Sequence, residues 1–76
     1  MRPIYKIAQD IRREWKNVSP DALPYLNAML EINRITDNYW HDDAESIVLY
    51  FLGNAHGFRG AKAKELKLEL KEMLGE

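Results

Sequence analysis

The chain has 76 residues, of which 46% are hydrophobic and 30% are charged, and its formal net charge at pH 7 is −1. This length and composition predict one small domain over residues 1–76 with a real core, and they argue against disorder. The absence of cysteine excludes disulfides and thiolate metal sites. The near-neutral charge argues against a general polyanion binder.

The distribution of hydrophobic residues predicts a cytoplasmic protein without membrane association. The longest apolar run, residues 47–52, is too short to cross a bilayer. Charged side chains interrupt residues 1–13 early, so this segment lacks the apolar stretch of a secretory signal.

Helical periodicity and start signals define the first two predicted elements. In residues 3–16, apolar side chains recur at helical spacing on one stripe: Ile4, Ile7, Ala8, Ile11 and Trp15. Residues 20–33 form the second predicted helix, with Ser19 as its N-cap. Pro24 leaves two alternatives open, a distorted first turn or a helix that begins at Pro24 itself.

The second half of the chain predicts two further helices. Residues 43–55 are apolar around most of the helix circumference, which is typical of a helix surrounded by others. Asp42 and Glu45 have the spacing of a capping box before it. Residues 60–74 form the fourth helix, which Gly75 ends. Since no segment has the sequence pattern of a strand, we expect an all-α fold of four short helices with the third helix central.

Three of the four glycines lie in the segment GNAHGFRGAK, residues 53–62. The segment lacks the Ser or Thr after Lys62 and the preceding strand that a phosphate-binding loop requires. We therefore expect a corner in which Gly57 is left-handed and Phe58 folds onto the core. The alternative is an anion at the start of the fourth helix, beside Arg59 and Lys62.

Lysines follow one flank of the fourth predicted helix, at Lys64, Lys67 and Lys71. With Arg59 and Lys62 they form a candidate surface for an anion or a nucleic acid. Glutamates occupy the other flank, and the helix has no Asn, Gln, Ser or Thr to read bases, which disfavours sequence-specific DNA binding. The structural alternative is a solvated face supported by charge pairs.

The sequence offers no recognisable catalytic or metal-binding pattern. The two histidines and the acids around His41 have neither zinc nor calcium spacing. No nucleophile–base set can be identified from the sequence. We therefore expect no catalytic residues, no metal and no cofactor, and a protein that is not an enzyme.

Several large apolar side chains lie outside the predicted helix cores. Tyr39 and Trp40 lie in a polar segment, and tryptophan, tyrosine and arginine dominate binding hot spots. Two alternatives stay open for Trp40, a place in the core and a place at the surface. Leu68 and Tyr5 lie off the core stripes of their helices, so a homodimer is a further expectation.

Four segments resemble a family of short uncharacterised proteins found chiefly in bacteriophages, prophages and other mobile elements. They are EWKNV at 14–18, PYLNAML at 24–30, SIVLYFLGNA at 46–55 and FRG at 58–60. The resemblance covers nearly the whole chain and implies a setting, with no assigned catalytic or binding residues. Phage genomes encode many small proteins that bind host machinery, including inhibitors of CRISPR and other defences. The resemblance therefore implies a host protein as the partner.

Together these observations predict a small, non-enzymatic protein–protein interaction protein that is phage-encoded and acts in the host cytoplasm. It is expected to bind and modulate or inhibit a host protein, with an anti-defence role as one expected outcome. The predicted contact residues are Tyr39, Trp40, Phe58 and Arg59. The alternative is a nucleic-acid-associated accessory protein that uses the lysines of the fourth helix.

Overall fold

The computed structural model describes residues 2–75, which form four helices and one short hairpin. The elements in chain order are α1 (Ile4–Glu14), α2 (Leu23–Met29), β1 (Asn38–Tyr39), β2 (Asp42–Asp43), α3 (Ala44–Gly53) and α4 (Ala61–Met73). β1 and β2 are antiparallel, with Asn38 opposite Asp43 and Tyr39 opposite Asp42. The fold is therefore mostly helical but not strictly all-α, and the expectation that no segment forms a strand is wrong.

The first predicted stripe forms the buried face of α1. Ile4, Ile7, Ala8 and Ile11 are all buried, as the periodicity predicts. The helix ends before Trp15, whose backbone is extended, whereas the sequence predicts helix to residue 16. Trp15 is still buried, because its ring turns into the core beside the corner that precedes α4.

The start of α1 is held by the segment that follows α2. The backbone N–H of Ile4 donates to the carbonyl of Asn33 at 2.9 Å, and that of Tyr5 donates to the carbonyl of Ile32 at 2.9 Å. The first N–H groups of a helix have no partner inside the helix, so these two carbonyls act as a cap from elsewhere in the chain. α1 and the end of α2 are thereby joined through the backbone as well as through the core.

α2 is shorter than the predicted helix over residues 20–33. It begins at Leu23, so Pro24 lies within the first helical turn, where proline is tolerated. After Met29 the chain tightens, since the N–H of Glu31 donates to Ala28 and the N–H of Ile32 donates to Met29. This turn directs residues 32 and 33 toward α1.

α3 is not covered on all sides, although its apolar sequence is typical of a central helix. It packs mainly on α2, while α1 packs mainly on α4 and also on α2. One face of α3 is buried through Ile47, Val48 and Phe51, but Leu49 is 48% exposed and Tyr50 is 54% exposed. The apolar side chains of α3 therefore extend over more of the helix circumference than its packing neighbours bury.

The caps of α3 and α4 differ in part from those predicted. Asp43, not Asp42, caps α3, and its side chain accepts a hydrogen bond from the N–H of Ser46 at 2.7 Å. Asp42 instead pairs with Tyr39 in the hairpin. The positive φ values among the described glycines belong to Gly60 (+111°) and Gly75 (+84°), so the left-handed conformation expected for Gly57 is wrong. Gly75 follows the end of α4 as predicted.

The buried side chains form one hydrophobic cluster to which all four helices contribute. Among residues 2–75, every buried side chain is hydrophobic. In the same part of the chain, no helix combines the length and apolar character needed to cross a membrane.

Candidate binding surfaces

The hairpin presents Trp40 to solvent at its tip. Trp40 and His41 form the two-residue turn between β1 and β2. The Trp40 side chain is 84% exposed, which places it at the surface and decides between the two alternatives left by the sequence. Tyr39 is half-buried against the core, and its ring meets the Trp40 ring edge-on with centroids 6.4 Å apart. We call Trp40 and His41 the hairpin tip.

The backbone of Trp40 has a conformation that is rare for residues other than glycine. Its φ is +58°, and among the non-glycine residues in 2–75 only Trp40 has a positive φ. Two-residue hairpin turns favour glycine, asparagine or aspartate at such positions, because a Cβ atom there is crowded by the backbone. The tip therefore holds a large aromatic side chain where glycine would be less strained.

Hydrogen bonds fix the base of the hairpin although its tip is exposed. One carboxylate oxygen of Asp37 accepts from the N–H groups of Asn33 (3.2 Å) and Arg34 (2.9 Å). The carbonyl of Asp37 accepts from the N–H of Ala44 at 2.9 Å, across the base of the hairpin. Asp37 thus joins the turn after α2 to the start of α3. The sequence alone gives little indication of this role of Asp37, because the residues that it bonds lie in loop segments.

Phe58 lies in the core, so its ring is not a contact surface for a partner. The side chain is 3% exposed and stacks on Trp15, with ring centroids 5.2 Å apart and an interplanar angle of 18°. Trp15 also meets Phe51 edge-on at 6.2 Å. The expectation that Phe58 folds onto the core is confirmed, and its predicted role as a contact residue is corrected.

Lys67 is turned inward toward the corner between α3 and α4. Its ammonium nitrogen donates to the carbonyl oxygens of Ala55 at 2.8 Å and Phe58 at 2.6 Å. Burial lowers the pKa of Lys67, and the charges of Lys71 and Arg59 lower it further. The two carbonyls act in the opposite direction, because they solvate the charge. Lys67 therefore braces the corner, which corrects its predicted place in an open row of phosphate contacts.

Two depressions lie along one edge of α4, one at the corner and one farther along the helix, and both have Lys64 and Lys67 in their walls. We call the two depressions together the cationic groove, and the residues that define it are His56, Arg59, Lys64, Lys67, Leu68 and Lys71. Among the side chains of residues 2–75, none that lines either depression is a carboxylate. The charge of Lys71 and that of Arg59 both act on Lys67, so the groove concentrates positive charge.

The opposite edge of α4 carries the balancing negative charge. Arg2 donates to both carboxylate oxygens of Glu69, through Nε at 2.9 Å and Nη2 at 2.7 Å, and to Asp10 at 2.7 Å. These bonds raise the pKa of Arg2, chiefly through Glu69, and the hydrogen bond from Arg2 is the main cause that lowers the pKa of Asp10. Lys62 lies near Glu65 at 3.6 Å on this side, away from the cationic groove.

The predicted contact residues therefore separate into two surfaces. Tyr39 and Trp40 lie in the hairpin before α3, while Phe58 and Arg59 follow its end. The ten residues of α3, a length of about 15 Å, lie between the two sets along the chain. Arg59 is exposed and donates from Nε to the carbonyl of His56 at 3.2 Å. Of the predicted anion-binding residues, Arg59, Lys64, Lys67 and Lys71 share the groove and Lys62 does not.

Comparison with protein-family models, with curated proteins and with solved structures finds no significant match to the chain. The resemblance to short phage and prophage proteins stays a prediction.

Proposed function

We propose that the chain is a small, non-enzymatic binding protein that contacts another protein through the hairpin tip, with Trp40 as the central contact residue. The observation that carries the proposal is the combination of 84% exposure and a φ of +58° at Trp40. Folding gains little from a tryptophan whose side chain stays in water. A function that requires the exposed ring accounts for its presence there.

The backbone strain strengthens this argument. A non-glycine residue in the left-handed region costs about 1–2 kcal/mol, and strained residues cluster at functional sites. Glycine would relieve the strain at this position, and no core contact compensates for it among the described residues. Selection for a stable turn alone would favour glycine, so the tryptophan indicates selection for contact.

The anchored base makes the tip a suitable contact element. Asp37 and the cap at Asp43 hold both ends of the hairpin against the helical body. A contact residue that is already fixed loses less conformational entropy on binding than one on a mobile loop. Tyr39 supports the Trp40 ring from one side and donates from its hydroxyl to Glu31 at 3.3 Å.

The phage resemblance supports a host protein as the partner. Under this proposal the chain is phage-encoded, acts in the host cytoplasm and modulates or inhibits a component of host machinery, with a defence system as the first class to test. The support is the resemblance of the four sequence segments, and the hairpin tip supplies the surface.

The test is capture of a bacterial protein from nuclease-treated lysate, followed by a measured Kd for the purified pair. Trp40→Gly removes the ring and also relieves the strain, so we expect the variant to stay folded, and its thermal unfolding is measured beside its binding. We expect this variant to weaken binding roughly thirtyfold or more, as removal of a hot-spot tryptophan does.

Leu49→Ser is the matched control, because Leu49 is also a large exposed apolar residue but lies on α3 away from the tip. It is expected to bind as the wild type does. A partner that binds Trp40→Gly within about twofold of the wild type would contradict the proposal, since twofold is far below a hot-spot effect.

The second candidate is a nucleic-acid-associated protein that uses Arg59, Lys64 and Lys71. The cationic groove favours this candidate, since phosphates are attracted to such a surface. Three phosphate contacts would weaken binding at least tenfold between 50 and 200 mM salt, by the counterion relation for nucleic acids. An affinity that does not change with salt would remove this candidate.

A further inference from the structure

The cationic groove differs from a surface that is merely rich in lysine. The chain as a whole has a formal net charge of −1, yet the groove gathers Arg59, Lys64, Lys67 and Lys71 without an acid among its described lining side chains. The acids of α4 lie along the other edge, where Glu69 is held by Arg2. The charge of the protein is therefore segregated across one helix.

The groove also presents an apolar contact between its cations. Leu68 is 55% exposed and lines the groove beside Lys64 and Lys71. Lys64 precedes Leu68 by four residues and Lys71 follows it by three, so both lysines neighbour Leu68 on the helix surface. A ligand in the groove therefore meets an apolar residue flanked by positive charges.

The glutamates on the other side of Leu68 disfavour a nucleic-acid duplex in the groove. Glu65 and Glu72 lie next to Leu68 on its other side, each within one helical turn. The major groove of a duplex alone is about 12 Å wide, and an α-helix with its side chains measures about 10–12 Å across. A duplex on this helix would therefore bring phosphates against the glutamates as well as the lysines.

Single-stranded nucleic acid is disfavoured for a different reason. Proteins that bind single strands combine positive charge with aromatic side chains on which the bases stack. Two ring side chains line the groove: Phe58, whose ring is already stacked on Trp15 in the core, and the exposed His56, which leaves a single surface for stacking. Leu68 cannot replace such a platform.

We propose that the cationic groove binds an acidic segment of a protein, in which an apolar side chain lies between carboxylates. The apolar side chain contacts Leu68, and the carboxylates approach Lys64 and Lys71. Arg59 adds a further positive charge at the corner end. This is a second binding site, separate from the hairpin tip, and it does not depend on the function proposed for Trp40.

Lys67 positions the groove and is not itself a free contact. Its ammonium group is committed to the carbonyls of Ala55 and Phe58, which hold the corner against α4. Its charge still adds to the potential along the groove, because Lys71 and Arg59 lie close enough to influence it. Lys64 and Lys71 are exposed, so they can be changed without disturbing the corner.

The test is an NMR titration of the ¹⁵N-labelled protein with a capped peptide of Glu-Glu-Leu repeats. Saturable shifts at Lys64, Leu68 and Lys71 are expected. The double change Lys64→Glu with Lys71→Glu is expected to weaken the binding roughly tenfold, since it reverses two charge contacts. Lys6→Glu with Lys62→Glu makes the same change in net charge outside the groove, and it is expected to weaken the binding much less.

Two further probes separate this ligand from its competitors. A Glu-Glu-Ser peptide is expected to bind severalfold more weakly than the Glu-Glu-Leu peptide, because it lacks the apolar contact with Leu68. Equal binding of the two peptides would overturn the apolar part of the proposal. A thymidine oligonucleotide that binds more tightly than the Glu-Glu-Leu peptide would reassign the groove to nucleic acid.

The remaining outcomes also decide the proposal. The absence of saturable shifts at the groove would overturn it. Shifts of the groove residues on dilution of the protein alone would assign the groove to a second copy of the chain. The Trp40→Gly variant should bind the peptide as the wild type does, so failure at the groove and failure at the hairpin tip give different results.

Discussion

The ammonium nitrogen of Lys67 lies 2.6 Å from the carbonyl oxygen of Phe58, and the same nitrogen reaches the carbonyl of Ala55 at 2.8 Å. A side chain of α4 thus donates to two backbone carbonyls of the corner that follows α3. It also keeps Phe58 stacked on Trp15 by fixing the backbone from which the ring projects. The corner between the two helices is therefore held by charge and by aromatic packing together.

We predict that Lys67→Met destabilises the protein by about 1–3 kcal/mol, the range for losing hydrogen bonds to a charged group. Methionine keeps an unbranched chain but cannot donate to the two carbonyls. The measurement is the free energy of unfolding in urea. Lys64→Met serves as the control, because Lys64 is exposed and its loss should change stability by less than about 0.5 kcal/mol. Equal effects of the two changes would show that Lys67 does not brace the corner.

We predict that Trp40→Gly is more stable than Trp40→Ala by about 1 kcal/mol. Both changes remove the exposed ring, but alanine keeps the Cβ atom that is crowded at a φ of +58°. Thermal unfolding of the two variants measures the difference. If alanine proved the more stable of the two, the left-handed backbone at the hairpin tip would be ruled out.

Gly60 and Gly53 are predicted to respond oppositely to alanine. Gly60→Ala should lose about 1–2 kcal/mol, because Gly60 has a φ of +111° and a side chain there is strained. Gly53→Ala should gain up to about 1 kcal/mol, since Gly53 is helical and exposed, with no atom within 4 Å of a new Cβ. Urea unfolding of both variants tests the pair, and a loss of stability at Gly53 would contradict the open face of α3.

The stability of the protein is predicted to fall as the pH drops below about 4. The hydrogen bond from Arg2 lowers the folded-state pKa of Asp10, so the stabilisation is present above the unfolded pKa and is lost as the pH falls through the folded pKa. Because Arg2 is substantially exposed, the contribution is about 1 kcal/mol or less.

Asp10→Asn tests this pH dependence. The variant should be less stable than the wild type at pH 7, and the difference should shrink as the pH falls through the lowered pKa of Asp10, because the wild-type carboxyl then becomes protonated. Asp21→Asn is the control, because Asp21 is exposed and has no ion-pair partner within residues 2–75. A constant difference between Asp10→Asn and the wild type at every pH would exclude the ion pair as its cause.

Much of the helical framework follows from the sequence, because apolar periodicity reports directly on burial. The stripe of α1 is buried as predicted, and Ala63, Leu66 and Leu70 of α4 are buried as well. The helix ends were less predictable. Trp15 leaves α1 to pack on Phe58, and this tertiary contact outweighs the local helical pattern.

The missed features depend on contacts between distant segments. The hairpin has two residues in each strand, too few for an alternating pattern to appear in the sequence. The apolar character of α3 suggested a central helix, but composition does not report how many neighbours cover it. Leu49 and Tyr50 are exposed for that reason.

The candidate surfaces were predicted only in part. Trp40, Arg59 and the lysines of α4 were identified by residue type, which indicates what a side chain can contact. The separation of Trp40 from Arg59 by α3, and the inward turn of Lys67, are consequences of the fold. The segregation of charge across α4 was visible in the sequence, since its lysines and glutamates occupy opposite flanks.

The cap that Ile32 and Asn33 provide for α1 changes how the N-terminal helix should open. In an isolated helix the first N–H groups exchange with solvent quickly, because the terminal turn frays. Here the N–H groups of Ile4 and Tyr5 are bonded to a segment almost 30 residues away. Their protons should therefore exchange with solvent only when α1 separates from the turn after α2, so two amides at the start of the helix report on cooperative opening of the core.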